Sequence, residues 1–103
     1  MAKGYWIAQV EVKDPDRYKN DYVTALPDVL RKFGGRYVTR GGQTEVVEGK
    51  SKSRVVILEF PSYQAALDCY RSPEYAKAIE LRRGKAVADI IVSEGYDGPQ
   101  PTD

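Results

Sequence analysis

The chain contains no histidine and a single cysteine, Cys69. A Ser-His-Asp or Cys-His nucleophile is thereby excluded, as is any metal site that needs an imidazole. Chemistry is left to carboxylates, tyrosines, lysines, arginines and one thiol. Arg40 closes the run RYVTR and is followed at once by Gly41-Gly42. A guanidinium there either grips a carboxylate or phosphate through two parallel hydrogen bonds or simply flanks a surface turn. Glu59 is the odd charge in the apolar run ending at Phe60. Enclosed in an apolar barrel, a carboxylate has its pKa raised and can serve as a base. Paired with Arg36, Arg54 or an arginine of a second copy, it would only hold structure. Tyr18, Tyr22, Tyr70 and Tyr75, with Arg82 beyond them, either wall a gap between helices and sheet or make plain core. Cys69 follows Asp68, which opposes thiolate formation, so the thiol is not expected to react.

Other patterns carry less. The glycine pairs at 34 and 41 fit neither a phosphate-binding loop nor a dinucleotide fingerprint. Lys50, Lys52 and Arg54, with serines between them, read as a solvated loop. Sixteen basic against fifteen acidic residues give a net charge of +1 over 103 residues, which removes the electrostatic drive for nucleic-acid binding. No apolar run approaches the roughly 18–20 residues that span a bilayer, and the N-terminus lacks a signal peptide's apolar stretch. One cysteine cannot form an internal disulfide. The expectation is a cytoplasmic protein without cofactor or metal, and with neither nucleic acid nor membrane as partner. It should form one domain over 1–96 with a flexible tail at 97–103, where Gly and Pro accumulate.

The elements that must position these residues follow from pattern. YWIAQVEV (5–12) alternates, with Trp6, Ala8, Val10 and Val12 on one face, as in a half-buried strand. Asp14-Pro15 caps and opens a helix whose apolar stripe runs from Tyr18 to Phe33. Pro27 falls inside that stripe and should kink or split the helix at Leu26. RYVTR (36–40) and the weaker TEVVEG (44–49) read as the arms of a hairpin around Gly41-Gly42. RVVILEF (54–60) is a buried strand ended by Pro61, and Ser62 and Ser72-Pro73 cap helices at about 62–71 and 73–84. AVADIIVSE (86–94) is the last strand. The order β-α-β-β-α-β, with an extra hairpin arm, predicts an α+β, ferredoxin-like sandwich with helices on one face of an antiparallel sheet. Trp6, Val10, Val56, Leu58, Phe60, Ile90 and Val92 should face the helices. Tyr5, Ile7, Gln9, Val55, Ile57, Glu59, Asp89 and Ile91 should face away. That second face is too apolar for water and too polar for a sealed core, so a second copy should cover it in a symmetric homodimer.

GGRYVTRGG (34–42), RVVILEFPSYQAALDCYRSPEY (54–75) and Arg82 resemble the small bacterial proteins of domain of unknown function family 1330, within the dimeric α/β-barrel superfamily. The resemblance spans nearly the whole chain. It implies a ferredoxin-like protomer whose sheet pairs with a partner's sheet, and it implies no established reaction. The wider superfamily includes cofactor-free monooxygenases, haem proteins and muconolactone-isomerase-like enzymes. Haem is disfavoured here because the usual proximal histidine is missing. The family often carries tryptophan where Asp68 or Cys69 stands, a departure expected to reshape one pocket wall. Two functions compete. In the first, the protein is a cofactor-independent enzyme or binder of a small acidic or aromatic metabolite. Arg40 then holds the anion, Glu59 acts as base or orienter, and Tyr22, Tyr75 and Arg82 complete the site. In the second, it is a non-catalytic dimeric structural or interaction module whose polar barrel residues fix the pairing.

Overall fold

The computed structural model describes residues 2–103. The alternation in the first segment makes β1 (Gly4–Val12), which pairs antiparallel with β3 (Arg54–Phe60) on one side and β4 (Ala86–Glu94) on the other. β2 (Arg36–Arg40) joins the far edge of β3, giving the antiparallel order β2-β3-β1-β4 of a ferredoxin-like sheet. The helices are α3 (Tyr63–Tyr70), α4 (Pro73–Arg82) and a first layer of α1 (Pro15–Arg17), a π-helical segment (Tyr18–Val23) and α2 (Thr24–Lys32). Each anticipated cap forms. Asp14 accepts from the Arg17 N–H, Ser62 from that of Ala65 and Ser72 from that of Tyr75. The Ser72 hydroxyl also donates to the Cys69 carbonyl at 2.7 Å, so one buried side chain joins the end of α3 to the start of α4. α2 closes through paired bonds from Gly34 and Gly35 back to Arg31 and Leu30.

Two expectations are corrected. Residues 44–49 form no strand. The outer side of β2 stays open, and Val46 and Val47 are exposed, so neither valine contributes the apolar burial that would hold a strand there. Pro27 does not split the helix: Leu26 stays helical and buried within α2. The irregularity lies upstream, where the wider π turn relieves the ring's clash with the preceding carbonyls. The Thr24 hydroxyl donates to the Asn20 carbonyl in that segment.

The core lies where the alternation predicts it. Trp6, Val10, Val56, Leu58 and Phe60 are buried beneath the helices, with Ile90 and Val92 packed against them. Trp6 is 2% exposed and donates its indole N–H to the Ala66 carbonyl at 2.8 Å. On the outer face Ile7 stands opposite both Ile57 and Ile91, a row of three isoleucines across β3, β1 and β4. Ile91 is 60% exposed in the single chain. Among the described residues no helix is long and apolar enough to cross a membrane.

The sheet meets α3 most closely at Gly4, where a Cβ would come within 2.3 Å of the Ser62 carbonyl oxygen and 2.6 Å of the Tyr63 Cα. Backbone cannot swing aside as a side chain can. Gly4→Ala is therefore expected to cost about 1–3 kcal/mol. Gly42→Ala, where a Cβ meets nothing within 4 Å, should leave the melting temperature nearly unchanged. Thermal melts of the two variants check the pair; equal stability would show that the α3–β1 approach is not tight.

Candidate functional site

β2 decides which arginine reaches the helix side. Its register against β3 runs Arg36↔Glu59 and Tyr37↔Leu58, then shifts so that Thr39 faces Ile57 and Arg40 faces Val56. A strand side chain normally alternates faces, and one extra residue reverses the alternation beyond it. The shift at Val38 thus puts both Tyr37 and Arg40 on the helix side, with the Arg40 guanidinium 4.3 Å from the Tyr37 ring centroid. Arg54, opposite Val10, shares this face. Its guanidinium lies against Gly41, where a Cβ would come within 2.2 Å of Arg54 Nη1. Gly41 also has φ of +67°, a conformation glycine adopts without strain.

These residues rim a cleft between sheet and helices. Its outer part, about 540 Å³, is bordered by Tyr18, Lys19, Val23, Arg40 and Arg54. Its inner part narrows to about 30 Å³, room for little more than a water, and adds Trp6, Tyr22, Tyr75 and Arg82. No aspartate or glutamate lines either part. Among the described residues no carboxylate lies within ion-pair distance of Arg40, Arg54 or Arg82. Arg54 Nε, Arg82 Nε and the Tyr37 hydroxyl are buried without a hydrogen-bond partner. Such groups ordinarily find one.

The tyrosines are stacked along the π-helical wall, where Tyr18 and Tyr22 lie 5.3 Å apart. The Tyr22 and Tyr75 hydroxyls share a buried hydrogen bond of 2.7 Å, and the Arg82 guanidinium lies 5.4 Å from the Tyr22 ring. Burial pushes the Tyr22 phenol well above the ordinary tyrosine value, and its Tyr75 neighbour adds to the rise. Burial also raises Tyr75, but there the Tyr22 hydroxyl and the Arg82 charge pull back. Both phenols of the pair are thus held in the protonated form at neutral pH.

Four of the sequence-predicted site residues, Arg40, Tyr22, Tyr75 and Arg82, are brought together in this cleft. Glu59 is not. It sits on the outer face, accepting from the Tyr5 hydroxyl at 3.0 Å and lying 3.7 Å from Arg36. Tyr70 packs on Trp6 and Tyr75 without lining the cleft. Asp68, bonded to Gln64, and Cys69 also lie outside it, so the departure expected there to reshape a pocket wall does not touch this cleft. Cys69 is fully buried, and desolvation, with the Glu74 charge adding, pushes its thiol up to about 12. Sequence reasoning missed Arg54, Lys19 and Tyr37 as lining residues. Arg54 was legible, because it shares parity with Val56 and Leu58. Among the described residues no three metal-ligating side chains cluster.

The phenol pair gives a pH test. Because burial holds both folded-state values above about 10 for unfolded tyrosine, folding is favoured below that pH and the advantage fades as pH rises through the folded values. Melting temperature should therefore fall from pH 9 to 11, and less steeply in Tyr22→Phe. Identical slopes would mean the pair does not govern alkaline stability.

No curated protein matches the chain in sequence. Solved structures match its fold. A protein of unknown function from Rhodopseudomonas palustris superposes with a TM-score of 0.73 at 19% identity, over 94% of this chain and 85% of that one. SnoaB, a cofactor-independent oxygenase from Streptomyces nogalater, gives 0.65 at 12% identity, over 97% and 96% of the two chains. A hypothetical protein from Arabidopsis thaliana gives 0.67 at 8% identity, over 97% and 94%. At such identities the likeness speaks for the fold alone, a ferredoxin-like α+β chain. The sequence itself is more specific: residues 3–96 match the family described as domain of unknown function DUF1330, and the chain belongs to that family.

Proposed function

We propose that the protein binds a small organic anion with a planar, apolar body in the cleft between sheet and helices, and that it works as a homodimer joined through the outer sheet face. One observation carries the binding reading. Arg40, Arg54 and Arg82 line one cleft without a carboxylate, among tyrosine rings. Arg54 and Arg82 are half-buried with their Nε groups unsatisfied, and Arg40 stands exposed beside them, so an arriving anion gains charge pairing and hydrogen bonds together. The outer part has the volume of a small-molecule site, and an aromatic body can rest there on Tyr18 while its anionic group meets Arg40 and Arg54. The enzymatic form of this reading is a cofactor-independent reaction, as in the oxygenase that shares the fold. Tyr75, bonded to Tyr22 and near Arg82, is then a protonated phenol able to donate a hydrogen bond to the reacting group.

The pairing reading rests on the isoleucine row of Ile7, Ile57 and Ile91, framed by Tyr5, Glu59 and Arg36 on one side and Gln9 and Asp89 on the other. We assign Glu59 to this surface, where with Tyr5 and Arg36 it would fix the pairing register. If pairing alone survives testing, the non-catalytic dimeric module is what remains. The setting is the cytoplasm, with which a free, buried Cys69 thiol agrees.

Calorimetric titration with benzoate, salicylate and 4-hydroxybenzoate tests the site. Arg40→Ala should weaken whichever acid binds by about tenfold, with melting within a few degrees of wild type because Arg40 is exposed at the rim. Unaltered affinity would remove Arg40 from the site, and a collapse in melting temperature would make it structural. For pairing, light scattering should find twice 11.6 kDa for the wild type and a monomer for Ile91→Asp. A wild-type monomer at micromolar concentration would end the dimer reading.

A further inference from the structure

The cleft's unpaired cations are not gathered at one point. Arg54 and Arg40 border both parts, with Lys19 beside them in the outer one, whereas Arg82 is absent from the outer part and borders the inner part alone. Arg54 and Arg82 rest against different rings of the tyrosine stack. The Arg54 guanidinium lies 6.0 Å from the Tyr18 ring, Tyr18 lies 5.3 Å from Tyr22, and Arg82 lies 5.4 Å from Tyr22. Each end also carries its own orphan donor, Arg54 Nε at one and Arg82 Nε at the other. A single carboxylate can answer one end. It leaves the other guanidinium without an anion, its Nε unsatisfied, in a cleft whose remaining walls are apolar or phenolic, where the lack of an opposite charge is felt more than in water.

We propose that the ligand is a dianion with two separated acidic groups joined by a planar apolar spacer, one group at Arg40 and Arg54 and the other at Arg82. This deepens the reading of the cleft as a site for an organic anion and rests on it. The spacer lies along the Tyr18–Tyr22 stack, whose faces tolerate an unsaturated or aromatic segment but satisfy no polar one. The inner part holds little more than a water as it stands, so the second acid reaches Arg82 only as Tyr18 or Val23 yields. Both belong to the π-helical wall, whose one irregular turn sits where a binding site would need it to move. Arg82 then sets specificity, because it rewards the second charge and is indifferent to the first.

The test is calorimetric titration of the full chain with benzoate, with phthalate, isophthalate and terephthalate, and with inorganic phosphate. Wild type should bind at least one diacid about 10–100-fold more tightly than benzoate, the range of one added charge-assisted contact. In Arg82→Gln that preference should vanish, the diacid falling to about the affinity of benzoate. In the double variant Arg40→Gln/Arg54→Gln, which removes the other end, the preference should vanish as well, which keeps the test decisive if the first variant does not fold. Equal affinity for benzoate and all three diacids would overturn the dianion while leaving the anion site standing. A preference that survives Arg82→Gln would overturn it too. So would phosphate binding more tightly than any diacid, which would place a doubly charged single group at the mouth. Failure of every acid to bind would remove the anion site itself.

Discussion

The bond from the Trp6 indole to the Ala66 carbonyl is the constraint on which the rest of the structure depends. Trp6 sits on the central strand and Ala66 on α3, so this directed, buried contact fixes how α3 lies across the sheet. The ring is then enclosed by Phe60 at 5.2 Å and Tyr75 at 4.9 Å, with Tyr70 closing its edge at 5.7 Å. Such aromatic pairs contribute about 0.5–1.5 kcal/mol beyond the area they bury. They also bring α4 into line, because Tyr75 must stand against Trp6 before its hydroxyl can meet Tyr22. The packing of the core and the floor of the cleft are therefore one arrangement.

Much of this arrangement is legible in the sequence, and the reason is local. Alternation along β1 and β3 assigns each residue a face, and Asp14, Ser62 and Ser72 mark helix starts by chemistry confined to a few neighbours. The core follows from those two signals. Failures come where a distant partner decides. TEVVEG has the composition of a strand, but its valines stay exposed, and pairing without burial gains little. The shift at Val38 depends on the β2–β3 register, which no stretch of β2 encodes alone. That shift puts Tyr37 in the cleft, and the plain alternation of RYVTR would have sent Arg40 to the other face from Tyr37. Pro27 announces a disturbance, but its place, one turn upstream in a π segment, depends on how the whole layer packs.

The distribution of arginines separates scaffold from site. Arg17, Arg31, Arg36 and Arg83 each have a carboxylate within 4 Å, on exposed ground where such pairs contribute little. Arg71 is exposed to water. Arg40, Arg54 and Arg82 differ by lining a common cleft with no carboxylate on it. Nothing in the packing of Trp6, Phe60 and Leu58 calls for three cations there. Folding tolerates them because their guanidiniums rest on tyrosine faces, Arg40 on Tyr37, Arg54 on Tyr18 and Arg82 on Tyr22, where a ring quadrupole partly replaces lost hydration.

The irregularity at Val38 bears on how the protein behaves in a crowded solution. β2 is an edge strand, and an edge offers unpaired backbone groups to any strand that drifts against it. A long, flat β2 would invite neighbouring molecules to extend the sheet without limit. This one is five residues long, broken at its middle and flanked by Arg36 and Arg40. A short length, a local twist and like charges at both ends all discourage such docking. The same single residue that turns Arg40 toward the cleft thus also guards the sheet against polymerisation, so straightening β2 would risk solubility as well as recognition.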